Sequence, residues 1–564
     1  MLKEFRSIDV YWDKATRRIY EEIRSSSSDE KGRKLTVQIV NDGQIQDLTN
    51  VALNLYWETQ DGENRGLDPF EPLDAENGIY ELYFRTGMLK HVGKLNAHLH
   101  LVDTTGAITS EPFTIVVFSG VDVDAMASDD ELSALNQALI EVQNVKQSLG
   151  DIQDLQKQIS DLQAFVGYTD DDIYGVEVDF KNKKFTRLAG AVNKTPGEMF
   201  DNVQAFGGRR RCNLADDGTV NAYHGELGYA EDGSNGQVMV EQPKFYYRVV
   251  PLELEKIVDG KGFHMRKARY YVSDTKKDGF KLHPAFIRNG KEKNFIYLSA
   301  FEATLFDNSA GIYITNDDWI GDFNADKLAS IGNAKPISGI DQNLTRANTR
   351  KLANNRGTGW EQSYAATVSA TQLLFTIEYA SMNTQSKIGM GVMKTDDATT
   401  NMAEPTGATT LLGNESGSVS NGSISYRGEE NFWMNIWTWV DGINVFDKSN
   451  IYIADHGFID DNGDDPYKDA GITAARDNGY ISAFGYNEEF DWLLFASETL
   501  GDSSLPVGDY LYQSTAGGAW KVARLGGTWT YSSYGGGFCW HVNGASSNRS
   551  RVIGGRLVYV PDAA

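Results

Sequence analysis

The chain has 564 residues, of which 41% are hydrophobic and 11% aromatic, so it contains enough apolar surface for several folded domains. Its 78 acidic residues outnumber its 53 basic residues and leave a formal net charge of −25 at pH 7. This charge argues against a nucleic-acid partner and against docking on anionic membranes, because both need a basic surface.

No apolar run approaches the ~20 residues needed to cross a bilayer, and the first residues lack the apolar stretch of a signal peptide. We therefore expect a soluble protein that is made in the cytoplasm and inserts no segment into a membrane. The two cysteines, Cys212 and Cys539, are too few for a disulfide framework or a paired-cysteine metal site. We expect no cofactor and no metal.

Short stretches of alternating apolar and polar residues fill the region from Leu35 to Phe118. Turn signals such as Asn41-Asp42-Gly43 and Asn77-Gly78 separate them, a pattern that predicts an antiparallel all-β sandwich over residues 1–122. No catalytic constellation is visible in this region, which favours a structural or docking role.

The first resemblance is carried by LTVQIVNDGQIQDLTNVALNLYWETQDG, by NGIYELYFRTGMLKHVGKLNAHLHLVD and by SEPFTIVV. These segments, within residues 30–120, resemble the N-terminal domain of phage baseplate upper proteins. The resemblance implies an Ig-like sandwich that anchors a receptor-binding or adaptor protein to other baseplate and tail proteins. It also implies a location in the virion tail or baseplate.

A ten-residue repeat follows, with apolar residues separated by steps of 3, 4 and 3 along residues 127–166. The apolar positions are Leu132, Leu135, Leu139, Val142, Val145, Leu149, Ile152, Leu155, Ile159, Leu162 and Phe165. Each ten-residue repeat is a heptad followed by a three-residue stammer. This pattern predicts an overwound coiled coil about 50 Å long. A helix packed on its own domain is the alternative. A homotrimer is what the family resemblance implies, since the mixed seam does not determine the number of strands.

Residues 167–564 combine strand patterns with two helical stretches, which predicts an α+β region. The predicted elements are a hairpin over 174–191, strands within 239–250, 268–274 and 294–303, and helices within 344–355 and 359–382. A segment rich in Thr, Gly, Asn and Ser, residues 396–421, predicts a long surface excursion.

The second resemblance is carried by NRGTGWEQ (354–361), YRGEENFWMNIWTWVDGINV (426–445) and GGTWTYSSYGGGFCWHVNGASSNRSRVIGGRLVYV (526–560). Together they resemble a C-type-lectin-fold domain of phage tail proteins. The last segment is similar to the variable region of proteins that retroelements diversify. The resemblance implies a C-type-lectin-like region over 167–564 that displays a variable binding face at about 526–557 and performs no chemistry on its ligand.

The residues of this last segment support a binding surface. A strand over 538–543 would direct Phe538, Trp540 and Val542 inward and the intervening side chains outward, and Tyr531 to Tyr534 would lie on a loop. The predicted ligand-binding residues are Thr528, Thr530, Tyr531, Ser533, Tyr534, Cys539, His541 and Asn543. An ordinary Gly/Tyr-rich β surface is the alternative.

Other motifs give weaker signals. The tryptophans Trp433, Trp437 and Trp439 are interpreted as core rather than as a sugar-stacking platform. Asp460, Asn462 and Asp464 have the spacing of a cation loop, but Asp465 and Gly471 occupy positions that an EF-hand gives to Gly and Glu. No pattern of a serine, metal-dependent or phosphate-loop enzyme is present.

The sequence therefore predicts a multidomain phage protein with a sandwich, a coiled coil and a lectin-like head that binds a bacterial surface receptor, glycan or protein. A structural tail protein that contacts only other virion proteins is the alternative. A tail enzyme that degrades surface polymer is a third hypothesis, with less support.

Overall fold

The structure, a computed structural model, describes residues 7–120 and 166–561, with short gaps at 16–18, 20–21, 30–32, 50, 104–105, 319–320, 448 and 514–517. These residues fall into two compact units, one within 1–149 and one within 150–564. The predicted coiled coil lies outside the described residues except for Val166, and it remains a prediction. In the described ranges, no helix has the length and apolar character of a membrane span.

The first unit consists of two β-sheets with one hydrophobic core between them. The first sheet contains, in spatial order, Ser7–Asp13, Lys34–Asn41, Ile79–Tyr83 and Glu71–Asp74, with Gln44–Ile45 beside Lys34–Asn41. The second contains Ile23–Ser26, Phe113–Phe118, Gly93–Val102, Ala52–Thr59 and Arg65–Pro69, with Ala107–Thr109 beside Gly93–Val102. A short helix spans Thr86–Leu89 and a 3-10 turn spans Ala75–Asn77.

The predicted sandwich is confirmed, and its alternating pattern matches its burial. Along Gly93–Val102 buried and half-buried residues alternate, as expected for strands with one face on the core and one face towards solvent. The strands before residue 30 were not predicted. Ser7–Asp13 and Ile23–Ser26 pair in parallel with Lys34–Asn41 and Phe113–Phe118, whereas the sequence predicted antiparallel strands from Leu35 onward.

The second unit is also mostly β. One sheet contains Lys184–Ala189, Ile173–Asp179, Phe263–Ser273, Tyr246–Lys256 and Lys281–Leu282, with Ala483–Tyr486 and Ala496–Glu498 beside it. A second contains Val220–Tyr223, Arg210–Leu214, Gln237–Pro243, Phe295–Ser299, Leu557–Tyr559 and Trp360–Gln362. Three smaller sheets are built from Ile287–Arg288 and Lys291–Glu292; from Ile312–Ile314, Thr304–Asp307 and Lys327–Ala329; and from Gly417–Ser418, Ile424–Tyr426 and Glu429–Glu430.

The largest sheet of this unit has eight strands and is called the terminal sheet below. Its strands are, in order, Lys468–Thr473, Asn450–Ile453, Trp437–Phe446, Lys521–Gly526, Gly536–Gly544, Tyr510–Gln513 and Gly479–Tyr480, with Ile553–Gly554 beside Trp437–Phe446. Gly536–Gly544 pairs antiparallel with Lys521–Gly526 and parallel with Tyr510–Gln513, so residues from distant parts of the chain share each face.

Both predicted helices are present. Arg346–Asn354 begins at Thr345, whose hydroxyl accepts a hydrogen bond from the Asn348 amide and caps the first turn. Ala365–Tyr379 was predicted from an apolar stripe, yet 14 of its 15 residues are buried, so it is an interior helix. Two one-turn helices span Gln204–Gly207 and Thr384–Lys387, and 3-10 turns span Glu198–Phe200, Pro284–Phe286, Thr410–Leu412 and Ser532–Tyr534.

The prediction that residues 396–421 form a surface excursion is wrong in part. Ala403, Thr406 and Thr409 are buried. The Thr409 hydroxyl and amide both donate to the Glu430 carboxylate, which holds the segment against the interior. Thr, Asn and Ser are as suitable for buried hydrogen bonds as for solvent, so composition alone did not distinguish the two.

Candidate functional site

The candidate site is the outer face of the terminal sheet around strand Gly536–Gly544. Phe538, Trp540 and Val542 point into the main core of the second unit, as predicted. The opposite face is covered as well, because Cys539 packs into a second cluster with Trp437 and Trp439. The strand therefore lies between two packed layers.

This second layer corrects three predicted ligand contacts. Cys539 and Thr528 are 0% exposed and His541 is 7% exposed, whereas the sequence placed them on the surface. The alternation identified the correct face of the strand for Cys539 and His541, but aromatic side chains from other strands cover that face. Thr528 lies in a turn, where its hydroxyl donates to the Asn435 carbonyl at 3.4 Å.

Five tyrosines form a continuous layer over this face, which we call the tyrosine face: Tyr480, Tyr510, Tyr512, Tyr531 and Tyr534. Neighbouring rings within it have centroids 4.7 to 5.7 Å apart. Such offset and edge-to-face contacts stabilise aromatic pairs and fix their orientation. Tyr534 is 45% exposed, and Tyr480, Tyr510, Tyr512 and Tyr531 are half-buried.

A layer beneath supports these rings. The Trp437 ring lies 5.2 Å from Tyr531 and 5.2 Å from His541 between ring centroids, and His541 stacks on Tyr512 at 5.6 Å. Burial raises the pKa of Tyr512 and Tyr531 above the ordinary value. Tyr512 and Tyr531 are therefore neutral hydroxyl-bearing rings at physiological pH, and packing sets their positions.

The loop that carries Tyr531 and Tyr534 is shaped by glycines. The Tyr531 amide donates to the Thr528 carbonyl, and Ser532–Tyr534 forms a 3-10 turn. A Cβ on Gly535 would lie 2.1 Å from the Met434 sulfur, and a Cβ on Gly536, whose φ is +147°, would lie 2.1 Å from the Asp509 carboxylate. Only glycine lets this backbone approach the layer below.

A buried carboxyl group holds the segment under the loop. Glu302 accepts hydrogen bonds from the side-chain amides of Asn435 at 2.7 Å and Asn431 at 3.2 Å. Asn431, Met434 and Asn435 all have positive φ, a conformation that is unfavourable for side-chain-bearing residues unless contacts fix it. Burial raises the pKa of Glu302 to about 8. The segment in turn accepts the Trp529 amide, so Glu302 positions the base of the loop.

Arg524 lies beneath the tyrosine face, on the same row of the sheet as Trp439 and His541. Its guanidinium lies 5.9 and 5.4 Å from the centroids of Trp437 and Trp439 and donates to His541 Nδ1 at 2.7 Å. Burial and the Arg524 charge lower the pKa of His541 to about 2, so the imidazole is neutral and acts as an acceptor. Burial also lowers the pKa of Arg524 to about 10.

The predicted site residues are thus only partly brought together. Tyr531, Ser533 and Tyr534 belong to one surface, where the Tyr480 and Ser533 hydroxyls are 3.1 Å apart. Thr530 and Asn543 are exposed. Sequence reasoning missed Tyr480, Tyr510 and Tyr512, which lie before residue 526, where the predicted variable segment begins. The alternation Tyr510-Leu511-Tyr512 was a signal that could have found two of them.

The remaining motifs have structural roles. Trp433, Trp437 and Trp439 are buried, which confirms their interpretation as core. Asp460 of the predicted cation loop accepts from Arg346 Nε at 2.6 Å and from Arg350 at 3.0 Å, so two guanidinium groups already neutralise this carboxylate. Within the described ranges, no cluster of three or more His, Cys, Asp or Glu side chains could hold a metal ion.

Comparisons with known proteins match one segment of the chain to a family model. Residues 8–144 match the family model described as the BppU N-terminal domain. Among solved structures, the N-terminal domain of phage TP901-1 ORF48 is similar, with 16% identity, 20% of this chain and 99% of that chain covered, and a TM-score of 0.18.

Variants of the Major Tropism Determinant are similar to a longer part of the chain. The P3c variant has 13% identity, covers 62% of this chain and 71% of its own, and has a TM-score of 0.22; the M1 variant has 13% identity, the same coverage and a TM-score of 0.23. The curated proteins contain no match. Residues 8–144, including the two-sheet sandwich, therefore belong to the family of N-terminal domains of phage baseplate upper proteins.

Proposed function

We propose that this protein attaches a phage tail to a bacterial cell-surface ligand through the tyrosine face, while the N-terminal domain holds it in the baseplate. The observation that carries the proposal is a continuous layer of five tyrosines with Tyr534 at its exposed edge and a packed layer beneath. Contiguous exposed aromatic surface on a soluble protein marks an interaction site.

The chemistry of tyrosine suits recognition. Each ring offers a large contact area with few rotamers to lose, and each hydroxyl can donate and accept hydrogen bonds. The exposed residues Thr530 and Asn543 add polar groups that can form hydrogen bonds near this surface. The ligand-binding set that we now propose is Thr530, Tyr531, Ser533, Tyr534 and Asn543 from the original prediction, together with Tyr480, Tyr510 and Tyr512.

The proposal includes a C-type-lectin-like fold for residues 167–564 and a homotrimer joined by a coiled coil at 127–166. Three copies on one stalk would present three tyrosine faces. Weak contacts with a repeated surface ligand then gain from the high effective concentration of the second and third face.

The proposed function is binding without chemistry on the ligand. Burial raises the pKa of the Cys212 and Cys539 thiols, which removes the thiolate that a nucleophile needs. Buried carboxylates are engaged, for example Glu378 by Arg427 at 2.7 Å and Asp441 by Arg350 at 2.8 Å. These contacts favour a binding protein over an enzyme that degrades surface polymer.

The test is binding of the fluorescently labelled full chain to intact cells of candidate hosts. The double variant Tyr510→Ser and Tyr534→Ser removes the exposed ring of the tyrosine face and a half-buried ring in contact with it, and we expect binding to fall at least tenfold. The matched control is Tyr11→Ser, because Tyr11 is 50% exposed and lies in the sandwich. Circular dichroism checks that each variant is folded.

Three outcomes are informative. Loss of binding in the double variant but not in the control supports the tyrosine face. Equal binding by both places recognition elsewhere on the chain. Absence of binding by the unaltered protein, on a panel that contains the host, favours the alternative of a structural tail protein that contacts only virion proteins.

A further inference from the structure

Arg524 differs from the other buried arginines of the second unit. Arg209, Arg211 and Arg427 each form an ion pair with a carboxylate. Among the described residues no ion-pair partner is found for Arg556, which donates to the main-chain carbonyl of Glu430 at 2.6 Å. In the part of the chain that the structure describes, the acceptor of Arg524 is the neutral His541 ring, and its Nε has no hydrogen-bond partner.

A buried cation without an anion is costly. Charged side chains are rarely buried unless they are paired, because removing a guanidinium from water loses its solvation. Contacts with the faces of Trp437 and Trp439 compensate only in part for this lost solvation. Arg524 is 5% exposed, so almost all of its surface is removed from water.

Gly544 lies directly against this guanidinium. A Cβ built on Gly544 would lie 2.9 Å from Arg524 Nη2 and 2.6 Å from the Asn548 side-chain nitrogen. Two groups that donate hydrogen bonds therefore flank one residue that has no side chain. Asn548 is exposed, and no partner is found for its side-chain nitrogen among the described residues.

We infer that Arg524, Asn548 and the bare backbone of Gly544 form a binding point for an anionic group, a carboxylate or a phosphate, of the surface ligand. The inference rests on the proposed function and names the chemistry that the terminal sheet selects. The anion supplies the charge that the fold does not provide for Arg524, and the guanidinium supplies a planar pair of donors. Stacking of the rest of the ligand on the tyrosine face completes the contact.

Direct titration of the full chain with small probes tests the inference independently of any host cell. The probes are glycerol 1-phosphate for a phosphate-bearing polymer and methyl glucuronide for a uronic-acid polymer, with methyl glucoside as the neutral control. Binding is followed by ligand-observed NMR and calorimetry. We expect saturable binding of at least one anion in the millimolar range and none of the neutral sugar. The probe that binds shows whether the natural ligand is a phosphate-bearing polymer or a uronic-acid polymer.

Three variants separate a binding role from a structural one. Asn548→Ala removes a donor, and Gly544→Ala places a Cβ 2.9 Å from Arg524 Nη2 and so displaces the guanidinium. Each should weaken anion binding at least fivefold. Ser547→Ala, at an exposed neighbour, should leave it unchanged. Arg524→Met should abolish binding while the unfolding temperature stays the same or rises, because an unpaired buried charge is removed.

The inference is overturned if the unaltered protein binds neither anion, or if Arg524→Met binds the anion as well as the unaltered protein does. It is also overturned if Arg524→Met lowers the unfolding temperature and Asn548→Ala leaves binding unchanged. If Arg524→Met still stains host cells as the unaltered protein does, the proposed function stands and the anion-binding point alone is rejected.

Discussion

The N-terminal sandwich and the terminal sheet differ in how many faces of a strand are covered and in whether polar side chains are buried. In the sandwich, the only buried polar side chains among the described residues are Ser25 and Ser110, and its outer faces meet solvent. In the terminal sheet, both sides of strand Gly536–Gly544 are covered, and polar groups such as Arg524 and His541 lie within the packed layers. Enclosing polar groups costs stability, and it provides rigid donors and rings next to a surface.

The largest expected effect comes from the base of the tyrosine face. Trp437→Ala removes a buried ring that contacts Tyr531 and His541, and we expect a loss of about 3–5 kcal/mol in the free energy of unfolding of the second unit. Tyr56→Ala, on the outer face of the sandwich, is the matched variant, with an expected loss below ~1 kcal/mol. Calorimetry measures both. Similar losses would show that the two regions do not differ in this way.

The second effect depends on pH. The folded-state pKa of Glu302 is about 8 and lies above its ordinary value of 4.5, so its contribution to stability is complete below pH 4.5 and is lost as the pH rises through 8. Glu302→Gln, which stays neutral, should therefore reduce the decline in stability between pH 5 and pH 8 by about 2–4 kcal/mol. Denaturant titrations at four pH values measure this decline in the free energy of unfolding. An unchanged pH profile would contradict the prediction, and the transition of the sandwich serves as internal control.

The smallest effect compares two strand positions that alternation alone treats as equivalent. Cys539→Ser places a hydroxyl in the aromatic cluster without a partner, which should cost about 1–3 kcal/mol. Val116→Thr, at a half-buried outward position of the sandwich, should change stability by less than ~0.5 kcal/mol. Denaturant midpoints distinguish the two. If both changes are tolerated equally, the second layer over Cys539 is looser than described.

The sandwich and the terminal sheet also show how much of the fold could be predicted from the sequence. Alternation predicted the sandwich because one face of each strand meets solvent, as in Leu95, Ala97 and Leu99. The same rule separated Trp540 from His541, but it did not reveal that His541 is covered. The covering residues, Trp437 and Tyr512, lie about 100 and 30 residues away, and strand pairing over that distance leaves no local pattern.

The part of the candidate site that was predicted is the part whose neighbours in the sequence already indicate a binding loop. Tyr531 and Tyr534 were found because glycines surround them in the sequence. Tyr480 was missed because a single tyrosine in a two-residue strand carries no signal of its own. Arg524 was missed because an unpaired charge is recognised only once its surroundings are known.

The placement of strand Leu557–Tyr559 affects how the protein is made. This strand lies between Phe295–Ser299 and Trp360–Gln362, and Ile553–Gly554 pairs with the strand that carries Trp437. The second unit therefore closes only after these late residues have left the ribosome, whereas the sandwich can fold as soon as its own segment emerges. An incompletely synthesised chain would therefore contain a folded sandwich without a finished tyrosine face.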